Sequence, residues 1–330
     1  MNEPMATRLR AVPEAVAEAM SALARRADGE VRTDDYSRVF YSTDASIYQV
    51  VPHGVFLPRT VGDLQAAVEV ANEFGLPLLP RTSGSSLAGQ AVNEALVIDM
   101  SRHLDRLLEV DEEARTARVQ PGIVLDDLNR RLATRGLQFG PDPASSDRAA
   151  MGGIVSNNST GAHSILYGMT ADHVREMNVV LADGSRARLA PRERHEVVER
   201  GRQGGLEGEI YRRIAGLVAD RDNGRTIREG TPRHWRRCGG YNLDRFVDGP
   251  SFNAPRDPRF NLAQLVCGAE GTLAVIEDVT VGLVPAPART GLALLQFASL
   301  DAALGAVPVV HEAEPAAGEL LDHKGITLCR

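Results

Sequence analysis

Leu64, Ala67, Val68, Ala71 and Phe74 recur at spacings of three and four, which makes one apolar stripe of a helix. Thr60 with Asp63 three residues on opens it as a capping box, and Gly75 closes it. Residues 76–79 then predict a short strand. The run ALVIDM at 95–100 is apolar without a break and of strand length, so it predicts a strand buried on both faces. Between the two lies PRTSGSSLAGQ, a loop of small residues. Ala-rich residues 13–27, with Pro13 at their start, predict an N-terminal helix peripheral to the rest. Residues 107–110 and 117–120 flank an acidic turn and predict a hairpin, and Pro121-Gly122 precedes a helix over about 124–135 that stops at Gly136. Asp183-Gly184, between runs at 177–182 and 186–189, predicts a second hairpin with a two-residue turn.

Three stretches break this periodicity. Residues 140–168, GPDPASSDRAAMGGIVSNNSTGAHSILYG, have a linker's content of Gly, Ser, Asn and Asp. Yet Met151, Ile154, Val155, Ile165 and Leu166 are spread through them, which argues for packing. Residues 190–240 are charged and partly helical. At 265–287, LVCGAEGTLAVIEDVTVGLVPAP, a Gly-rich turn enters two β-like runs. From Gly291 the pattern predicts a strand at 292–297, a helix from Ser299 and Leu300, and a strand near 317–321. Such a β-α-β alone has open edges and little core.

Composition narrows the class. The chain has 330 residues, 43% hydrophobic and 25% charged, as folded globular proteins have. Its net charge is −7 with no dense block of Lys and Arg, which sets nucleic acid aside as a partner. No apolar run approaches the length of a membrane span, and the first residues have no secretory h-region. Cys238, Cys267 and Cys329 are isolated and odd in number, unlike a disulfide framework or a metal knuckle, so a reducing cytoplasm fits.

The 31 glycines matter by placement. A loop such as 80–90 can gather backbone N–H groups into a concavity, and small side chains let an anion approach them; the plain alternative is a solvated turn. Neither GxxxxGK[ST] nor a strand-to-helix GxGxxG is present, so a P-loop nucleotidase and a Rossmann dehydrogenase are both demoted.

PRTSGSSLAGQ, the 140–168 segment, VVLADGS, GYNL and GAEGTLAVIEDVT occur together in an order and spacing that resembles the FAD-linked oxidases of the vanillyl-alcohol oxidase and p-cresol methylhydroxylase (PCMH) superfamily. PGIVLDDLN, NNSTGAHS and YNLDRF resemble its D-lactate and D-2-hydroxyglutarate dehydrogenase branch, in the long bacterial chains that carry a C-terminal iron–sulfur segment. The resemblance covers roughly residues 35–325. It implies an α+β fold: a PCMH-type FAD-binding domain of two α/β subdomains over 35–288, with a charged insertion at about 190–240, after an N-terminal helical extension (1–34). Residues 289–330 would begin a truncated, ferredoxin-like α+β cap domain.

The resemblance also implies roles. The loop Arg81, Thr82, Ser83, Gly84, Ser85 and Ser86, flanked by Pro80 and Gln90, would wrap the FAD pyrophosphate. Relatives have glycines where Thr82 and Ser83 stand, so the loop is strained if those positions need φ > 0. It contains no His, which implies non-covalent FAD. Pro141, Asp142, Ser145, Ser146, Gly152, Gly153, Asn157, Asn158 and Gly161 would run along the ribityl chain and under the flavin ring. Glu270, Gly271, Thr272, Val275 and Ile276 would close over the cofactor. His163 matches a position near the ring; as a lone His it is more often a structural hydrogen-bonder than a base. A 2-hydroxy acid needs its carboxylate held, for which a forked Arg is suited. By residue type alone Arg233, Arg236 and Arg237 are candidates, although an Arg cluster is more often a solvated face. In the branch, most substrate ligands, the metal-binding His and Glu residues and the iron–sulfur cysteines lie beyond the point matching Arg330. No metal is assigned here, since His311 and His323 stand ungrouped.

Three functions remain open on this reading. The chain is an FAD-dependent dehydrogenase of a D-2-hydroxy acid such as D-lactate or D-2-hydroxyglutarate, passing electrons to a quinone, cytochrome or iron–sulfur partner. Alternatively it is an FAD-binding fragment, inactive without its cap and iron–sulfur parts, or it runs another reaction on the same scaffold. The expected location is cytoplasmic, free or in peripheral contact with the inner face of a membrane.

Overall fold

In a computed structural model, residues 11–232, 234, 236–247 and 259–328 are described. Among the described residues eleven strands follow in chain order: β1 (Glu30–Arg32), β2 (Gly54–Leu57), β3 (Leu78–Arg81), β4 (Leu96–Asp99), β5 (Leu107–Asp111), β6 (Thr116–Val119), β7 (Leu137–Gln138), β8 (Val174–Val180), β9 (Arg186–Leu189), β10 (Val275–Gly282) and β11 (Val284–Pro285). They form a four-stranded sheet ordered β1-β2-β4-β3, a five-stranded sheet ordered β5-β6-β10-β8-β9, and the pair β11-β7. The first is parallel through β2, β4 and β3, with Val97 opposite both Val55 and Leu79, and β1 is an antiparallel edge. β4 is buried throughout, as its apolar run predicts. The second sheet is antiparallel.

The helix Val61–Phe74 is built as read from its pattern. Thr60 accepts from Asp63 N–H, the Asp63 carboxylate accepts from Thr60 N–H, and Gly75 ends the helix at φ 64°. Asp63 is buried and also accepts from Asp28 N–H at 2.9 Å and Arg59 N–H at 2.7 Å. The N-terminal helix Glu14–Arg26 is not peripheral. It buries Ala19, Met20, Ala22 and Leu23 in one cluster with Phe56, Leu64, Val68 and Leu96. A second core fills the space between the five-stranded sheet and the helices Leu125–Leu132 and Met151–Asn157. It contains Val119, Val179, Val279, Leu128, Ile154 and Val155. Val180 and Val275 at the ends of β8 and β10 pack into the first cluster, so the two units are joined by apolar contact.

Two further expectations are corrected. The β8–β9 turn has three residues: Leu181 N–H bonds Ser185 O at 2.8 Å and Gly184 N–H bonds Leu181 O at 2.9 Å. Only Gly184 is left-handed (φ 84°), whereas a two-residue type I′ turn needs both central residues there. The Asp183 carboxylate instead accepts from Ser185 N–H and Oγ, which favours the longer turn. Secondly, neither 292–297 nor 317–321 is a strand. Both lie beside no partner ladder and leave Leu292, Leu294, Leu320 and Leu321 exposed. The intervening helix Leu300–Glu312 does form, with Ser299 accepting from Ala302 N–H at 3.1 Å, and buries none of its residues. The aperiodic 140–168 region resolves into the short helices Met151–Asn157 and Ser164–Tyr167. The charged insertion holds the helices Arg194–Arg202, Gly205–Ala219 and Arg221–Gly230.

Candidate functional site

Between the two sheets lies a cleft of about 370 Å³. One wall is the loop after β3, with Gly84, Ser85, Ser86 and Gln90. The opposite wall is the helix Met151–Asn157 with the residues on either side of it, and the turn before β10 closes the end through Glu270 and Gly271, with Ile276 of β10 itself.

Local structure fixes each wall. Gly84 has φ 64°, and Thr82 and Ser83 have ordinary negative φ, so the loop carries none of the strain that replacing glycines there would bring. Gly152 is pressed on Pro121, with 2.6 Å left for a Cβ, and a Cβ at Gly153 would reach 3.1 Å from Thr82 Oγ1. The missing side chain of Gly152 lets the helix approach Pro121, and that of Gly153 lets it approach the loop. The helix ends where Asn158 turns left-handed (φ 52°), and its last carbonyls are taken up by the closing turn: Gly268 N–H donates to Val155 O and Glu270 N–H to Ser156 O. Glu270 adopts φ 51° and Gly271 φ 77°, which bends the chain into β10.

Among the described residues, the amides of Gly84, Ser85 and Ser86 donate to no protein acceptor. Unpartnered N–H groups beside small hydroxyls suit an anionic ligand with several oxygens, and a phosphate-bearing cofactor fits them.

Of the residues singled out in the sequence, the cleft gathers Pro80, Arg81, Thr82, Gly84, Ser85, Ser86, Gln90, Ser145, Gly152, Gly153, Asn157, Glu270, Gly271 and Ile276. Ser83, Pro141, Ser146 and Val275 lie outside its lining. Asn158 is buried and holds the scaffold: Nδ2 donates to Arg237 O at 3.2 Å and Oδ1 accepts from Ala171 N–H at 2.8 Å. Thr272 bonds back to Ala269 O and meets the Tyr241 hydroxyl. A Cβ on Gly161 would overlap the Asp142 carbonyl, and Asp142 in turn accepts from His163, its Oδ2 lying 2.5 Å from Nδ1. Arg237 is ion-paired with Asp244, whereas exposed Arg236 donates from Nε to Thr160 Oγ1 at 3.0 Å. Arg233 lies outside the described residues. Sequence reasoning passed over Met100, Pro143, Ser156, Ser159, Thr160, Ala274 and Cys238, all on the lining. Their signal was position: each sits within a few residues of a segment already singled out.

A second recess, of about 450 Å³, opens on the outer face of the five-stranded sheet beside Arg175, Arg188, Arg192 and Arg259. Arg188 pairs there with Glu176 at 2.8 Å and Arg192 with Glu196 at 3.4 Å. Among the described residues no group of three or more His, Cys, Asp or Glu could hold a metal ion, and no helix is long and apolar enough to cross a membrane.

Residues 52–190 match the family described as FAD binding domain, and the chain carries the PCMH-type fold of FAD-linked oxidases. In solved structures it is similar to alkyldihydroxyacetonephosphate synthase (TM-score 0.59, 19% identity, 92% of this chain and 47% of that one). It is also similar to carbohydrate oxidase from Microdochium nivale (TM-score 0.53, 18% identity, 83% and 44%). More particularly, it is a homologue of D-2-hydroxyglutarate dehydrogenases: that of Pantoea ananatis is 33% identical over 305 residues, 92% of this chain. The chain spans 29% of that relative's length.

Proposed function

We propose that the chain is the FAD-binding part of a dehydrogenase of D-2-hydroxy acids, with D-2-hydroxyglutarate as the first substrate to try. The supporting observation is the cleft itself: three glycine-rich segments from two sheets meet around unpartnered amides, in a homologue of D-2-hydroxyglutarate dehydrogenases. On this reading FAD is bound non-covalently, because no His lies in the 80–90 loop. The flavin supplies an acceptor for the substrate hydride. The chain supplies the rest. Backbone donors of Gly84–Ser86 hold the phosphates, and Gly152 and Gly153 permit close approach. The imidazole of His163, held by Asp142 outside the cleft lining, would offer its other nitrogen as a base for the hydroxyl proton. Arg236 is the better carboxylate partner of the two arginines, since Arg237 is engaged by Asp244. The electron acceptor on this reading would be a quinone, a cytochrome or an iron–sulfur partner. The functional domain runs to about residue 288 and takes in the N-terminal helix, whose side chains complete its core; residues 289–330 begin a cap.

A second reading, that the chain holds flavin without turning over alone, is favoured by the pairing of Arg237 and by the engagement of Arg81, the one cationic side chain among the described residues of the cleft lining, with main-chain carbonyls. The test is direct. Purified chain is expected to carry flavin absorbance that heat releases, and anaerobic D-2-hydroxyglutarate or D-lactate is expected to bleach it. Colourless protein that takes up no FAD sinks both readings, and bound flavin that no D-2-hydroxy acid bleaches selects the second.

A further inference from the structure

Arg81 closes β3, and its guanidinium turns under the loop that follows. Nη1 donates to the carbonyls of Ala91 at 2.8 Å and Tyr41 at 3.3 Å, and Nη2 to that of Thr43 at 2.9 Å. The Tyr41 ring lies 5.4 Å from the guanidinium carbon, and its hydroxyl donates to Asp99 at 2.5 Å. The same segment meets the loop twice more. Ala45 N–H donates to Gly84 O at 3.0 Å, and the Asp44 carboxylate accepts from Ala91 N–H at 3.2 Å. A Cβ on Gly84 would overlap the guanidinium, so the loop rests on it. Both the middle and the far end of the loop are therefore tied to residues 41–45. These residues precede the 52–190 match and form no part of the cleft lining.

We propose that Arg81 is a positioning residue. With residues 41–45 it clips the 82–91 loop into its anion-binding shape, and it is not the counter-charge of the phosphates. The inference rests on the FAD reading above. Three of its five N–H donors are spent on main-chain carbonyls, so its contribution is to cut the ordering cost that ligand binding would otherwise carry. Residues 41–45 become part of the cofactor site without touching the cofactor.

The test uses the full chain with Arg81→Met, Arg81→Lys and Asp44→Ala. In apo protein, amide exchange at 82–91 is expected to rise about tenfold in Arg81→Met and less in Asp44→Ala. FAD dissociation constants are expected to rise in the same order, with an unchanged dependence on NaCl. Lys, with a single ammonium that cannot span three carbonyls, is expected not to rescue. Unaltered exchange in the variants, a weaker salt dependence in Arg81→Met, or full rescue by Lys would each overturn the proposal. Asp44→Ala carries the comparison should Arg81→Met fail to fold. If the unaltered chain takes up no FAD, the functional reading falls, while the apo exchange contrast still decides the clip.

Discussion

His163 is locked to Asp142 twice: Nδ1 lies 2.5 Å from Oδ2, and His163 N–H donates to Oδ1 at 3.1 Å. The backbone between them leaves no room, since Gly161 lies against the Asp142 carbonyl and its own N–H donates to Ser164 Oγ at 2.7 Å. Gly161→Ala must push the two segments apart. It is expected to cost about 2–3 kcal/mol of stability, measured by urea unfolding. A cost near zero would mean that the contact yields easily.

The helix Glu14–Arg26 puts Leu23 wholly inside the first core. Leu23→Ala is expected to lose about 2–5 kcal/mol, as core truncations do. A loss within about 0.5 kcal/mol, typical of surface sites, would restore the peripheral helix that its position at the start of the chain suggests.

Arg245 and Asp172 are 6% exposed each and paired at 2.7 Å. Arg245 Nη1 also reaches Ala171 O and Gln264 Oε1 at 3.3 Å. Arg245→Met removes the cation from a buried carboxylate that keeps its bond from Met169 N–H, so unfolding free energy should fall by about 3–5 kcal/mol. Restoring stability with the double variant Arg245→Met, Asp172→Leu would show that the pair is dispensable once neither charge is stranded.

Burial lowers the pKa of His173 below its ordinary value of 6.5, against the pull of the carbonyls of Tyr167 and Gly282 that its ring faces. The unfolded chain then binds more protons than the folded one between the lowered pKa and 6.5. Stability rises with pH across that window, so His173 costs stability as pH falls below about 6.5. The difference between wild type and His173→Gln, followed by urea unfolding from pH 7.5 to 5, should shrink on acidification. A constant difference would assign the imidazole no titration there.

At the cleft, Gly84→Asp combines a left-handed backbone (φ 64°), an overlap with the Arg81 guanidinium and a negative charge beside the amides of the loop. Flavin content of the purified variant is expected to be lost while its circular dichroism stays close to wild type. Full flavin content would move the phosphate site elsewhere.

What could be read in the sequence followed the range of the interactions. The Thr60–Asp63 box, the buried run of β4 and the stop at Gly136 are decided within a few residues, and each stands in the structure as its pattern predicts. The cleft was legible because glycine and serine had to stand where two main chains meet. The buried partnership of Arg245 with Asp172 spans 73 positions and leaves no local trace. Asn158 carries an amide that suits a ligand, and only its burial and left-handed φ reveal a scaffold residue. Residues 292–297 have the composition of a strand, but a strand exists only with a neighbour to complete its ladder.

The two apolar cores meet through Val180 and Val275, and the cleft lies between the sheets they support. A molecule held by the loop of one sheet and the helix of the other bridges both. Its binding free energy is therefore shared by both units, and neither can open without forfeiting it. A ligand seated in the cleft would act as a thermodynamic hinge pin, adding its binding free energy to the apolar contact that already joins the two units.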